Sequence, residues 1–332
     1  MRPSVTVRRR HRGLVPALAA SAVALVAGTL AGCGDGGGVA LPQTPQTSQS
    51  QSSGSGPTVL STITPTPTRL PSVATTGSAD AVPMPVGDIP GWHEIFTDDF
   101  ATDVPVGGFS GCQNDVTRIC TGLPASVAAK WWAYPDGWTD TSGKGTYMPS
   151  KTISIENGMM HLHLYTADGV HMVAAPVPRL PNPVGTEGGQ LYGRYAIRFM
   201  VAHPTDSYKL AWLLWPDTES FPGDGEIDFP EGELNADITA FMHRQNGVSQ
   251  FDQDEYATTV PISSGWHTAI IEWTPTVSRF ILDGTTIGTS TYRIPDTPMH
   301  WVIQSETNVD GDVSNTATGD IYIAWVAIYQ PT

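Results

Sequence analysis

The chain has 332 residues, 40% of them hydrophobic and 15% charged, with a formal charge of −15. That balance excludes a fully disordered or collagen-like chain and fits one or two globular domains. So acidic a protein repels phosphate backbones and anionic lipid surfaces, which sets nucleic acid aside as a partner and leaves neutral polymers or cations.

Residues 1–32 carry Arg2, Arg8, Arg9, Arg10 and Arg12, no acid, and an apolar run from Leu14 to Leu30, which reads as a secretory signal. The stretch Leu30-Ala31-Gly32-Cys33 resembles a bacterial lipobox. That resemblance implies cleavage before Cys33 and a lipid on its sulfur, holding an extracytoplasmic protein on the outer side of the cell membrane. An ordinary secretory signal and a membrane-spanning anchor are the alternatives. Residues 33–88 are rich in Gly, Ser, Thr, Gln and Pro and bury too little surface to offset the entropy of ordering, so they read as a tether. Its reach is on the order of 40 Å. Cys112 and Cys120 form an even pair in an oxidising compartment, and a disulfide is the expected state. A metal or redox pair lacks both a partner cysteine and the two-residue spacing.

Residues 89–332 suit a single all-β domain. Met160 to Tyr165, Arg194 to Phe199 and Ile321 to Val326 alternate with the period of half-buried strands, and Asp283-Gly284 predicts a hairpin turn. His161 and His163 share one strand face as a metal pair does, but no third ligand is evident, so both read as cleft or surface residues and no metal centre is expected.

The most informative segment is Glu226-Ile227-Asp228-Phe229-Pro230-Glu231. Glu226 and Asp228 share a strand face, and one extra residue in a bulge at Pro230 returns Glu231 to it. Three acids on one face repel one another, so such a row faces a cation or a wet cleft. A carboxylate pair at this spacing suits glycoside hydrolysis, with one group as nucleophile and the other as proton donor. A calcium site and a solvated acidic edge are the alternatives, and the apolar Ile227 and Phe229 speak against a calcium loop.

The hexapeptide resembles the Glu-x-Asp-x-x-Glu signature of glycoside hydrolase family 16, in the bulged form common in its laminarinase-like branch. Tyr192 to Arg198, Ala211 to Pro216, His243 and Trp266 to Pro275 resemble further landmarks in the expected order. The resemblance implies a concanavalin-like β-sandwich (jelly roll), a concave substrate cleft and hydrolysis with retention of configuration. Carried over by position, Glu226 is the nucleophile, Glu231 the acid/base and Asp228 the acid that orients the nucleophile. Trp212 matches a cleft-floor tryptophan, with a core tryptophan as the alternative, His243 a histidine near the acid/base, with a structural histidine as the alternative, and Gln304 a polar cleft residue. Arg244 stands beside His243, where it can meet sugar hydroxyls. Trp131, in an aromatic run from Lys130 to Tyr147, is a candidate sugar platform, with a hydrophobic cluster as the alternative. Loops 176–189 and 251–259 are expected to close the cleft. No cofactor is required. Ala324 stands where many relatives carry an aspartate linked to a structural calcium, which sets the present chain apart from them.

The resulting expectation is a monomeric endo-acting hydrolase of a neutral polysaccharide, best a β-1,3 or β-1,3/1,4 glucan. A cell-wall transglycosylase or galactan hydrolase is the alternative enzyme. A non-catalytic carbohydrate-binding protein is the alternative class.

Overall fold

The computed structural model describes residues 82–332. The expected signal segment, Cys33 and all of the tether before Val82 lie outside them. Along the chain run β1 (Trp92–Asp98), β2 (Trp131–Ala133), β3 (Gly145–Tyr147), β4 (Ile153–Glu156), β5 (Met159–Ala167) and β6 (Val170–Val173). Next come β7 (Pro176–Pro178), β8 (Gly193–Val201), β9 (Tyr208–Pro216), β10 (Glu226–Glu233), β11 (Asp237–His243) and β12 (Gln253–Pro261). The last are β13 (Trp266–Trp273), β14 (Ser278–Leu282), β15 (Thr285–Ser290), β16 (Met299–Thr307) and β17 (Thr318–Pro331).

The strands form two large sheets, as the alternating sequence predicts. A ten-stranded sheet has the path β15-β14-β13-β8-β17-β5-β6-β3, with β1 joined to β17 and β4 to β5. A five-stranded sheet runs β12-β11-β10-β9-β16. The two-residue turn between β14 and β15 is Asp283-Gly284, both at positive φ (49° and 80°), which suits the twist of a tight hairpin. Alternate residues of the facing strands fill one core, among them Leu162, Leu164, Ile197, Phe199, Ile227 and Phe229. Cys112 and Cys120 are joined by a disulfide, as expected.

Val82 to Asp88, the end of the expected tether, are described. Met84 packs with Ile89 and Trp92 against a smaller cluster of Ala196, Ile270, Trp325, Ala327 and Tyr329. The Gly87 amide donates to the Glu94 carboxylate at 2.7 Å.

Two aromatic expectations are corrected by this packing. Trp131 is fully buried in the core, with its indole Nε1 donating to Asp98 Oδ2 at 2.6 Å and its ring against Phe96 and Phe100. It is no sugar platform. Trp212 is also fully buried, edge-on to Phe199 of the opposite sheet. On β9 the register pairs Leu213 with Asp228 and Ala211 with Glu231, so the odd residues share the face of the acids and Trp212 points into the sandwich. Trp212→Ala is expected to cost roughly 3–5 kcal/mol of stability, the usual price of emptying a buried indole site, as read from urea unfolding midpoints.

Candidate active site

Why the acids converge is a matter of register. Asp228 pairs with Leu213 and Glu231 with Ala211, so three residues of β10 span two of β9. The extra residue falls at Phe229-Pro230, where proline has no amide to lose from the ladder. Glu226, Asp228 and Glu231 therefore stand on one face while Ile227 and Phe229 enter the core.

All three acids are buried. His243, directly opposite Glu226 on β11, approaches Asp228 Oδ2 with Nε2 at 3.3 Å and Glu226 Oε2 at 3.8 Å. Ligand atoms of Glu226, Asp228 and His243 lie within 4.8 Å of one another, close enough in principle to grip a small cation. On the other side, Lys209 Nζ is 3.1 Å from Glu231 Oε1. Lys209 was not among the residues picked out from the sequence, although it is a lone cation in an otherwise apolar strand, Tyr208-Lys209-Leu210-Ala211-Trp212. Such a residue is almost never buried unless paired.

Glu306 completes the row. It faces Lys209 across β16 and β9, is fully buried, and accepts from the Tyr147 hydroxyl at 2.7 Å and the Thr141 amide at 3.1 Å. Gln304 shares that face opposite Ala211, and its buried Nε2 finds no hydrogen-bond partner among the described residues. Trp215, three residues and therefore one face away from Trp212, is the indole on the acidic side. It donates to Glu219 and packs on Phe221, whose ring meets that of His243 edge-on.

The electrostatics separate the acids. Burial pushes Glu226 well above its ordinary value, and the charge of Asp228 and a hydrogen bond with it push further. Burial also raises Glu231, but the Lys209 ammonium pulls it back, leaving it at about 7. Burial lowers His243, yet the hydrogen bond and charge of Asp228 and the charge of Glu231 outweigh it, so the imidazole sits above its ordinary value.

Other expected site residues lie elsewhere. Arg244 is clamped between Asp252, at 2.9 Å, and Asp254, and Asp252 also binds Arg293 at 2.6 Å. Its two terminal nitrogens are thereby committed to the edge of the sheet. Residues 253–261 are not a closing loop but β12, an edge strand whose polar alternation hides its pairing with β11. In the aromatic run, Trp132, Tyr134, Trp138 and Tyr147 stack into one cluster. His161 and His163 face outward from the ten-stranded sheet, away from the acids, while Met160, Leu162 and Leu164 of the same strand fill the core.

The model of the glycosyl hydrolases family 16 matches residues 150–327, just over half of the chain. Solved structures share the fold at low identity. A non-specific endo-β-1,3(4)-glucanase named SCLam is 15% identical with a TM-score of 0.55, over 75% of this chain and 95% of its own. The laminarinase from Rhodothermus marinus is 17% identical with a TM-score of 0.53, over 73% and 98%. A chain from the human gut microbiota, whose members express endo-acting O-glycanases to initiate mucin breakdown, is 17% identical with a TM-score of 0.53, over 75% and 94%. No curated protein matches the chain.

Proposed function

From the premise that the chain belongs to glycosyl hydrolases family 16, we propose that it is an endo-acting, retaining hydrolase of a neutral β-glucan with β-1,3 or β-1,3/1,4 linkages. The observation that carries the reading is the row Glu226, Asp228 and Glu231 on one face of β10, with its outer members in unlike surroundings. Glu226 attacks the anomeric carbon as the glycosidic bond breaks, and Glu231 gives its proton to the leaving oxygen. In the second step Glu231 takes a proton from water, whose oxygen displaces Glu226 from the sugar. Asp228, beside Glu226 on the same strand face, orients it for attack. Gln304 Nε2 offers a free donor to a sugar hydroxyl, and Trp215 brings an apolar surface to the same face.

The glucan preference is supported by the bulged spacing of the acids, by the acidic surface and by the glucanases among the structural neighbours. The test is product release from laminarin, mixed-linkage glucan, xyloglucan, agarose, galactan and mucin glycans. Cleavage of galactan or mucin glycans alone overturns the glucan reading, and glycan binding without cleavage of any overturns the enzyme. The lipobox-like run further supports anchoring outside the cytoplasmic membrane through lipid on Cys33, for which loss of labelled fatty acid in Cys33→Ser is the check.

Lys209 sets a pH dependence. The acid must be protonated to act, so kcat/KM falls as pH rises through about 7, where Glu231 ionises. Lys209→Met removes the positive charge that holds Glu231 down, so the alkaline limb is expected to move to higher pH. A pH profile of kcat/KM for both proteins checks this.

A further inference from the structure

We propose that His161, His163, His203 and Asp320 form a binding site for a first-row divalent transition cation of the zinc class, on the outer face of the ten-stranded sheet. Asp320 Oδ1 lies 2.6 Å from His161 Nε2 and 2.7 Å from His163 Nδ1, and Asp320 Oδ2 lies 2.5 Å from His203 Nδ1. Ligand atoms of His161, His163 and Asp320 fall within 4.8 Å of one another. The third ligand that the sequence does not place beside the histidine pair comes from β17, where pairing with β5 sets Asp320 opposite His163. His203, just after the end of β8, meets the other oxygen of Asp320 and stands outside that close trio, from where it would swing in as a fourth ligand.

Several features suit metal binding more closely than simple hydrogen bonding. The rings are held in place, His161 stacked on Tyr322 at 4.5 Å and His163 on Tyr165 at 4.8 Å. The far nitrogen of His161 faces Glu156 Oε1 at 3.9 Å, the outer carboxylate that commonly orients a ligating imidazole. Asp320 is nearly enclosed, whereas 61% of the His203 side chain and 42% of that of His163 are exposed, which leaves an entry path. A set rich in imidazole nitrogen suits zinc, cobalt, nickel or copper and not calcium or magnesium, which take oxygen. To bind the ion, each imidazole would turn the lone pair of its near nitrogen to it, so the proton that bridges to Asp320 would move to the far nitrogen or be released to solvent. The ion would tie β5, β17 and the segment after β8 together, on the sheet opposite Glu226 and Glu231.

The test is titration of the chelator-stripped full chain with Co²⁺, followed by its visible d–d absorption, with Zn²⁺ as competitor. One saturable equivalent displaced by zinc is expected, weakened at least tenfold in His163→Ala and Asp320→Asn and kept in His243→Ala. Because Asp320 is buried, His203→Ala serves as a variant at an exposed position, with circular dichroism as the folding control, and it too should weaken binding. Absence of a saturable cobalt band, its survival in a His161→Ala/His163→Ala double variant, or its loss in His243→Ala alone overturns the proposal.

Discussion

Glu226→Ala is expected to lower polysaccharide turnover by roughly 10⁴-fold or more, since the other carboxylates of that face are held by other partners. The argument is geometric: Asp228, two residues on, is engaged with Glu226 and His243, and Glu231 lies beyond the bulge beside Lys209. Truncation leaves a small cavity in a buried site, wide enough for formate or azide. Such an anion is expected to restore cleavage with an inverted product, because a single displacement replaces two. Proton NMR of the first-formed anomer checks it. Residual activity above about one part in a hundred, with the wild-type anomer, would falsify the assignment of Glu226.

Glu231→Gln is expected to lower kcat/KM on polysaccharide by about 10²–10⁴-fold and to erase the alkaline limb near pH 7. Its signature is dependence on the leaving group. A sugar leaving as an alcohol needs the proton, whereas an aryl glycoside with an acidic phenol does not. The variant should therefore react quickly with the aryl substrate, then stall as a glycosyl-enzyme visible by mass spectrometry, because no base remains to activate water. Equal losses on both substrates would move the acid/base role away from Glu231.

How much of this was legible in the sequence depended on whether a local pattern sufficed. The strands over Met160–Tyr165, Arg194–Phe199 and Ile321–Val326, the Asp283-Gly284 turn and the bulged acid row follow from periods of two and from the limits of proline and glycine. The same rule applied to β9 would have separated Trp212 from Trp215, since three residues apart means opposite faces, and Lys209 marks which face is polar. What the pattern does not carry is partnership across the chain. Asp320 meets His161 from 159 residues away, and Glu306 meets Thr141 across 165. Those meetings are set by strand order, which alternation leaves open. β12 was hidden for another reason: an edge strand with one wet side has no apolar run to betray it.

That edge strand bears on how copies of the protein behave when crowded. A sheet margin offers unpaired backbone groups to any neighbour of the same kind. Here β12 ends in Pro261, exposes Glu255, and carries Asp254 fastened inward to Arg244. Proline withholds a donor, and like charges meet if two such margins align, so sheet-to-sheet stacking between molecules is disfavoured where the backbone is most open to it. The clasp at Arg244 thus lies on the margin itself, and concentrated solutions of the domain are expected to stay dispersed, as light scattering would show.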